Sequence, residues 1–153
     1  MSSHADIDEI LTVSMGVETF ALPAGIVLEI LDLGPVTPIP TAKAFIGNLI
    51  NFRGRVVPLA DLRLRCGMPV VKPTQDTRIV VLEITFENEP TMVAILADKV
   101  YEVSRLDEIL SGQVPRIGTR WRPEFIKAIG RRNQDFVMIL DIDRIFASAD
   151  PIV

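Results

Sequence analysis

Ala44-Phe-Ile-Gly-Asn-Leu-Ile-Asn-Phe-Arg53-Gly54-Arg-Val-Val-Pro58-Leu-Ala-Asp61-Leu-Arg63 is the stretch that decides how this chain is read. A helix-like apolar run ends at a polar Asn-Phe-Arg-Gly corner. It then becomes a strand that carries Pro58 and closes on Asp61-Leu-Arg63. Arg53 puts a planar, permanently charged fork beside Gly54, and in a tight turn only the glycine takes positive φ freely. No nucleophile, base or metal ligand accompanies the arginine. The combination points to a surface for binding rather than catalysis.

Outward from that stretch, turn signals recur along the whole chain. Leu11, Val13 and Met15 alternate as a strand, and Gly16-Val-Glu18 turns the chain into Thr19–Leu22. Pro23 opens the next element, and the spacing of Ile26, Val27 and Ile30 predicts a helix over Ala24–Ile30. Gly34–Pro40 holds three prolines in six residues, which excludes helix and leaves an extended edge strand or loop. Thr41 reads as the N-cap of a short helix reaching Asn48. Arg55–Leu62 is a strand in which Pro58 requires an edge or a bulge.

The segment 67–77 is a Pro-rich linker and the best internal boundary. Arg78–Phe86 and Thr91–Asp98 form a hairpin around Glu87–Pro90, and Tyr101–Ile109 reads as either strand or helical turn. Pro115–Pro123 is loop. Phe125–Gly130 and Asp135–Ile142 flank a hairpin turn at 131–134, and Asp143–Ala147 is a terminal helix. About nine or ten short strands with little helix predict an all-β barrel or sandwich, and the linker predicts two small barrels sharing an interface. One domain over 10–147 is expected, with flexible tails at 1–9 and 148–153. No clean internal repeat is visible.

Composition excludes several function classes. With 48% aliphatic and aromatic residues and 24% charged ones, the 153 residues can build a core and are too apolar for disorder. A net charge of −4 argues against non-specific nucleic-acid binding. The N-terminus lacks the pattern of a signal peptide, and no apolar run approaches the roughly 18 residues of a membrane span. A soluble, cytoplasmic protein is expected.

The chemistry sought is mostly missing. His4, the sole histidine, lies in the expected tail, so Ser-His and Cys-His nucleophile arrangements are not available. The lone Cys66 excludes an internal disulfide and reads as a structural thiol. Asp141 and Asp143, like Glu87 and Glu89, are too few for a metal and better suited to capping turns. No cofactor, metal or catalytic residue is expected. For Arg53 two readings stay open on the residues alone: a solvated turn arginine, or an interface anchor held by Glu29 beside an apolar groove.

At this point the chain resembles the CheW-type chemotaxis coupling proteins, from about Leu11 to Phe146. The resemblance is carried by Thr19-Phe-Ala-Leu-Pro, Val27-Leu-Glu29-Ile30, Ala44-Phe-Ile, Asn51-Phe-Arg53-Gly54 and Val57-Pro58-Leu-Ala-Asp61-Leu-Arg63. Further matches are Ile79-Val-Val-Leu, Ala97-Asp98-Lys-Val100-Tyr-Glu-Val103 and Met138-Ile-Leu-Asp141-Ile. It implies two pseudo-symmetric five-stranded SH3-like barrels and a non-enzymatic adaptor. Such an adaptor joins chemoreceptor cytoplasmic tips to the regulatory domain of a CheA-type histidine kinase in an array.

It also implies partner-binding roles for Val27, Glu29, Arg53, Gly54, Val100 and Val103, with Arg53 and Glu29 as paired anchors. Relatives serving pilus-based motility, or a ligand-binding regulatory β-barrel, are the alternatives. Three departures bear on the choice of receptor and kinase rather than on the fold. Asn48 and Ala128 stand where the family usually has Gly, and Cys66 where an aromatic is frequent.

Overall fold

The computed structural model describes residues 8–16, 18–40, 45–110 and 122–148. Its strands are β1 (Glu9–Met15), β2 (Glu18–Pro23), β3 (Val27–Asp32), β4 (Thr37–Pro38), β5 (Ile46–Phe52) and β6 (Arg55–Ala60), then β7 (Arg78–Phe86), β8 (Glu89–Ala97), β9 (Lys99–Arg105), β10 (Glu108–Leu110), β11 (Ile126–Arg132) and β12 (Asp135–Leu140). Two short helices, α1 (Leu62–Arg65) and α2 (Ile142–Ala147), follow β6 and β12. The mainly β class holds. The expected His4 tail, the Thr41 cap and most of the Pro115–Pro123 loop lie outside the described residues.

Both predicted early helices are strands. Ala24–Ile26 makes only one 3₁₀ turn, and Val27–Asp32 then pairs antiparallel with β7 through Val27↔Leu82 and Glu29↔Val81. Its exposure alternates residue by residue, so a period of two governs where a helical spacing was expected. The branched residues Ile26, Val27 and Ile30 suit either period, and the free edge of β7 decides. Likewise Ile46–Asn48 belongs to β5, paired with β6 by Ile46↔Ala60 and Asn48↔Leu59. Pro58 is tolerated because parallel pairing of β6 to β8 begins only after it, at Leu59↔Ala94. Tyr101–Ile109 resolves into strands β9 and β10.

The sheets run β10-β11-β12-β2-β1-β9 and β4-β5-β6-β8-β7-β3. Replacing each strand of the second order by the one six places later, cyclically, gives the first. Each sheet has five strands of six or more residues plus one shorter strand, and each is open rather than a closed barrel. The chain is therefore a structural repeat, β1–β6–α1 and β7–β12–α2. Each half places its opening hairpin in the other half's sheet. Segment 67–77 separates the repeats but joins β6 to β7 within one sheet, so it does not divide the sheets. Passage between sheets occurs at 23–27 and at Asp98.

The exchange explains the core. Ile50, Val57, Leu59, Ile79 and Val81 fill one sheet's own cluster, and Ile10, Ala21, Val137 and Ile139 fill the other's. Between them lies a larger cluster built from both, including Leu11, Phe20, Leu22, Leu82, Ile95 and Leu140. Ile79–Leu82 is buried on alternate sides into two clusters, which is why it reads as a continuous apolar run. Leu140→Ala should cost about 2–5 kcal/mol. Calorimetry should still show a single transition, with calorimetric and van't Hoff enthalpies equal, because both sheets lean on that core.

Asn48 and Ala128, the two departures from Gly, occupy equivalent places in the repeat. Each directly follows a register shift, between Ile46 and Asn48 and between Ile126 and Ala128. Neither has positive φ, so a side chain is accommodated at both.

Candidate functional site

The β5–β6 turn contains only two residues, Arg53 and Gly54, between the Phe52↔Arg55 pair. Strand twist favours a turn with positive φ at both central residues, and they have φ of 53° and 82°. Gly54 takes this conformation freely, whereas Arg53 adopts it against the preference of a residue with a side chain. A non-glycine residue there costs roughly 1–2 kcal/mol. Asn51 Oδ1 offsets part of this by accepting the Gly54 N–H at 2.8 Å. Arg53 lies over the Phe52 ring with its guanidinium carbon 5.1 Å from the centroid. Asn51→Ala should free the Gly54 amide, read as faster exchange of that amide with little change in global stability.

From this tip Arg53 Nη2 donates to Glu29 Oε1 on β3. The Arg53 side chain is 73% exposed, so the pair adds at most about 1 kcal/mol to stability. A strained backbone presenting a solvated, carboxylate-oriented guanidinium gains little for the fold, which makes recognition the better account.

The six sequence-predicted residues fall in two groups. Val27 and Glu29 lie on edge strand β3, where Glu29 meets the Arg53–Gly54 tip. Val100 and Val103 lie on β9, the edge strand of the other sheet, opposite Val13 and Leu11. Val27 and Val100 are linked beneath the surface, since both pack against the large shared cluster. They are equivalent in the repeat, each preceding a register shift on its edge strand. Val103 is exposed. Among the described residues no further strand pairs with the outer side of β3 or β9, and the two edges flank the shared core, an arrangement suited to protein docking.

Sequence reading missed Arg63. It is the only charged side chain among the buried described residues. Its Nε and Nη2 grip Asp61 at 2.9 and 2.8 Å, and Nη1 donates to Asp98 Oδ1 at 2.8 Å. The hydrogen bonds to Asp61 raise its pKa against the opposing effect of burial, keeping it charged throughout. Val56 and Phe136, both strongly exposed and equivalent on their hairpins, were also missed. A large apolar side chain on an outward strand position was the available signal.

Asp61 and Asp141 cap α1 and α2, accepting from the backbone N–H of Arg63 and Arg144. Among the described residues no group of three or more His, Cys, Asp or Glu side chains converges as a metal site. Cys66 is half-buried against the shared core. Burial pushes its thiol up to about 12, with Arg65 opposing and Glu18 reinforcing. Iodoacetamide at pH 8 should modify it about a hundredfold more slowly than an exposed cysteine, the lost thiolate being partly offset by greater nucleophilicity. The unfolded chain releases this proton near 9.0, so the contribution is intact below that pH and is lost as pH rises toward about 12. Urea titrations of Cys66→Ala and the parent should differ by a smaller margin at pH 10.5 than at pH 8.

Two interlocked sheets that expose edge strands and hairpin tips make up the domain. The chain belongs to the CheW-like domain family, whose match spans residues 9–150. It is 25% identical over 142 residues to the chemotaxis protein CheW of Rhizobium meliloti, covering 93% of this chain and 89% of that protein. Against CheW of Helicobacter pylori it is 27% identical over 147 residues, covering 94% and 86%. Protein PilI of Pseudomonas aeruginosa shares 26% identity over 125 residues, covering 81% and 67%. The crystal structure of the scaffolding protein TtCheW from Thermoanaerobacter tengcongensis superposes with a TM-score of 0.76 at 26% identity, covering 91% of this chain and 92% of that one. The chain is a chemotaxis coupling adaptor.

Proposed function

We propose that this adaptor acts in the cytoplasm without chemistry of its own, joining the cytoplasmic tip of a chemoreceptor to the regulatory domain of a CheA-type histidine kinase. The observation that carries the reading is the Arg53–Glu29 pair, displayed on a strained turn and contributing little to stability. Val27, Glu29, Arg53, Gly54, Val100 and Val103 would form the docking surface. Charged anchors set register and encounter, while the valines supply apolar contact. Heterologous contacts between similarly folded partners would extend into rings or lattices, so a receptor change biases kinase activity through the assembly. Among the described residues no helix is long and apolar enough to cross a membrane.

The alternative output that the family resemblance implies is an equivalent adaptor in a pilus-motility pathway, using the same surface. Capture of receptor fragments and kinase regulatory domains from each type of pathway tests both readings. Retention of one cognate pair at micromolar affinity is expected; binding to neither component of either pathway would contradict the proposal.

A further inference from the structure

Arg63 joins three separate parts of the fold through one guanidinium, and a fourth by way of Asp98. It holds Asp61 at the end of β6, reaches Val71 O in the 67–77 segment at 3.4 Å, and holds Asp98 Oδ1. Asp98 in turn accepts the Gly16 N–H from the β1–β2 turn at 2.6 Å through its other oxygen, and donates its own N–H to Ser14 O at 2.9 Å. Asp98 is the single residue between β8 and β9, so it is where the chain leaves one sheet for the other. The strand it releases carries Val100 and Val103 on its edge. At the far end of β6, about 20 Å away for six residues of strand, stands the Arg53–Gly54 turn.

The repeat supplies an internal control. Asp61-Leu62-Arg63 corresponds to Asp141-Ile142-Asp143, each following the last residue of its hairpin and each capping its helix with the first aspartate. Asp143 replaces the arginine and only accepts weakly from Thr85 N at 3.4 Å. One copy of the unit therefore folds with no buried guanidinium. A buried ion pair is weak support for stability and is better attested in fixing register or geometry.

We infer that Arg63 and Asp98 are positioning residues, a joint that sets how β9 departs from β8 and thereby presents the Val100–Val103 edge in fixed relation to the Arg53 tip. Whether that edge binds a receptor rests on the proposed function; the joint itself does not. The test uses the full chain with Asp98→Asn, which keeps size and removes the charge, and Arg63→Lys, which keeps charge and removes the fork.

Amide hydrogen exchange should show protection over 99–105 falling about tenfold or more, with β5–β6 and β11–β12 changing less than about threefold. A merely structural role would lower protection uniformly, and that result, or unchanged protection at 99–105 in a folded variant, would overturn the inference. If Asp98→Asn does not fold, Arg63→Lys decides by the same criterion; if neither folds, the pair holds the fold and the inference falls.

With a receptor cytoplasmic fragment as probe, Asp98→Asn should weaken binding about tenfold and Val103→Ser should add less than about threefold on top. Fully additive losses would contradict the joint. Val103→Ser that leaves binding of the parent unchanged would instead contradict the assigned docking surface, with the exchange result still judging the joint.

Discussion

Arg53→Glu abolishes assembly of the receptor–adaptor–kinase complex while leaving the fold intact: this is the largest functional effect the structure leads us to expect. The substitution places two carboxylates where Glu29 now orients a guanidinium. An interface anchor that becomes buried on binding, the role proposed for Arg53, is worth 2 kcal/mol or more, about thirtyfold in affinity, and like-charge repulsion deepens the loss. The folding side of the ledger is small, because an exposed pair contributes about 1 kcal/mol at most. Circular dichroism and the thermal midpoint should match the parent, and size-exclusion chromatography should show no ternary peak. Normal assembly by the folded variant would remove Arg53 from the docking surface.

The second large effect concerns the exchanged hairpins. Fragments 1–72 and 73–153, separated within the exposed linker, should each be unfolded alone and should fold on mixing. Without β7 and β8 the first fragment has no partner for β3 and no parallel neighbour for β6, and the large shared cluster loses half of its walls. A fragment of this size rarely gains more than about 3–5 kcal/mol from its core even when intact. Equal amounts of the two fragments should restore the dispersed amide spectrum of the whole chain. A fragment that folds alone would show that the repeats are separable and the exchange incidental.

Most strands were legible because alternation and turn residues mark them directly: β1 and β2 around Gly16, β7 and β8 around Glu87 and Asn88, β12 before Asp141. The two early helices were misread for a common reason. Ile26–Val27–Ile30 and Phe45–Ile46–Leu49 satisfy a helical spacing as well as a strand spacing, and only the pairing offered by β7 and β6 selects the strand. The repeat was hidden because topology is shared while side chains are not, as at Arg63 and Asp143. Hairpin exchange leaves no local trace at all, since it depends on which edge each strand meets.

At the candidate site, Arg53, Gly54 and Glu29 stood out as a charged fork, a turn glycine and a carboxylate, and the structure brings them together. Val100 and Val103 came from family resemblance alone, because a valine on a strand carries no mark of the edge it occupies. Arg63 was passed over as the end of a motif. Its burial depends on Asp98, which is 35 residues away in sequence.

The account depends most on one adaptor molecule engaging two macromolecules at once through separate parts of its surface. Sedimentation velocity of the full chain mixed with a receptor cytoplasmic fragment and a kinase regulatory domain measures this directly. A single boundary containing all three, heavier than either binary complex, is the predicted result. Two binary boundaries in which receptor fragment and kinase domain displace each other would contradict it.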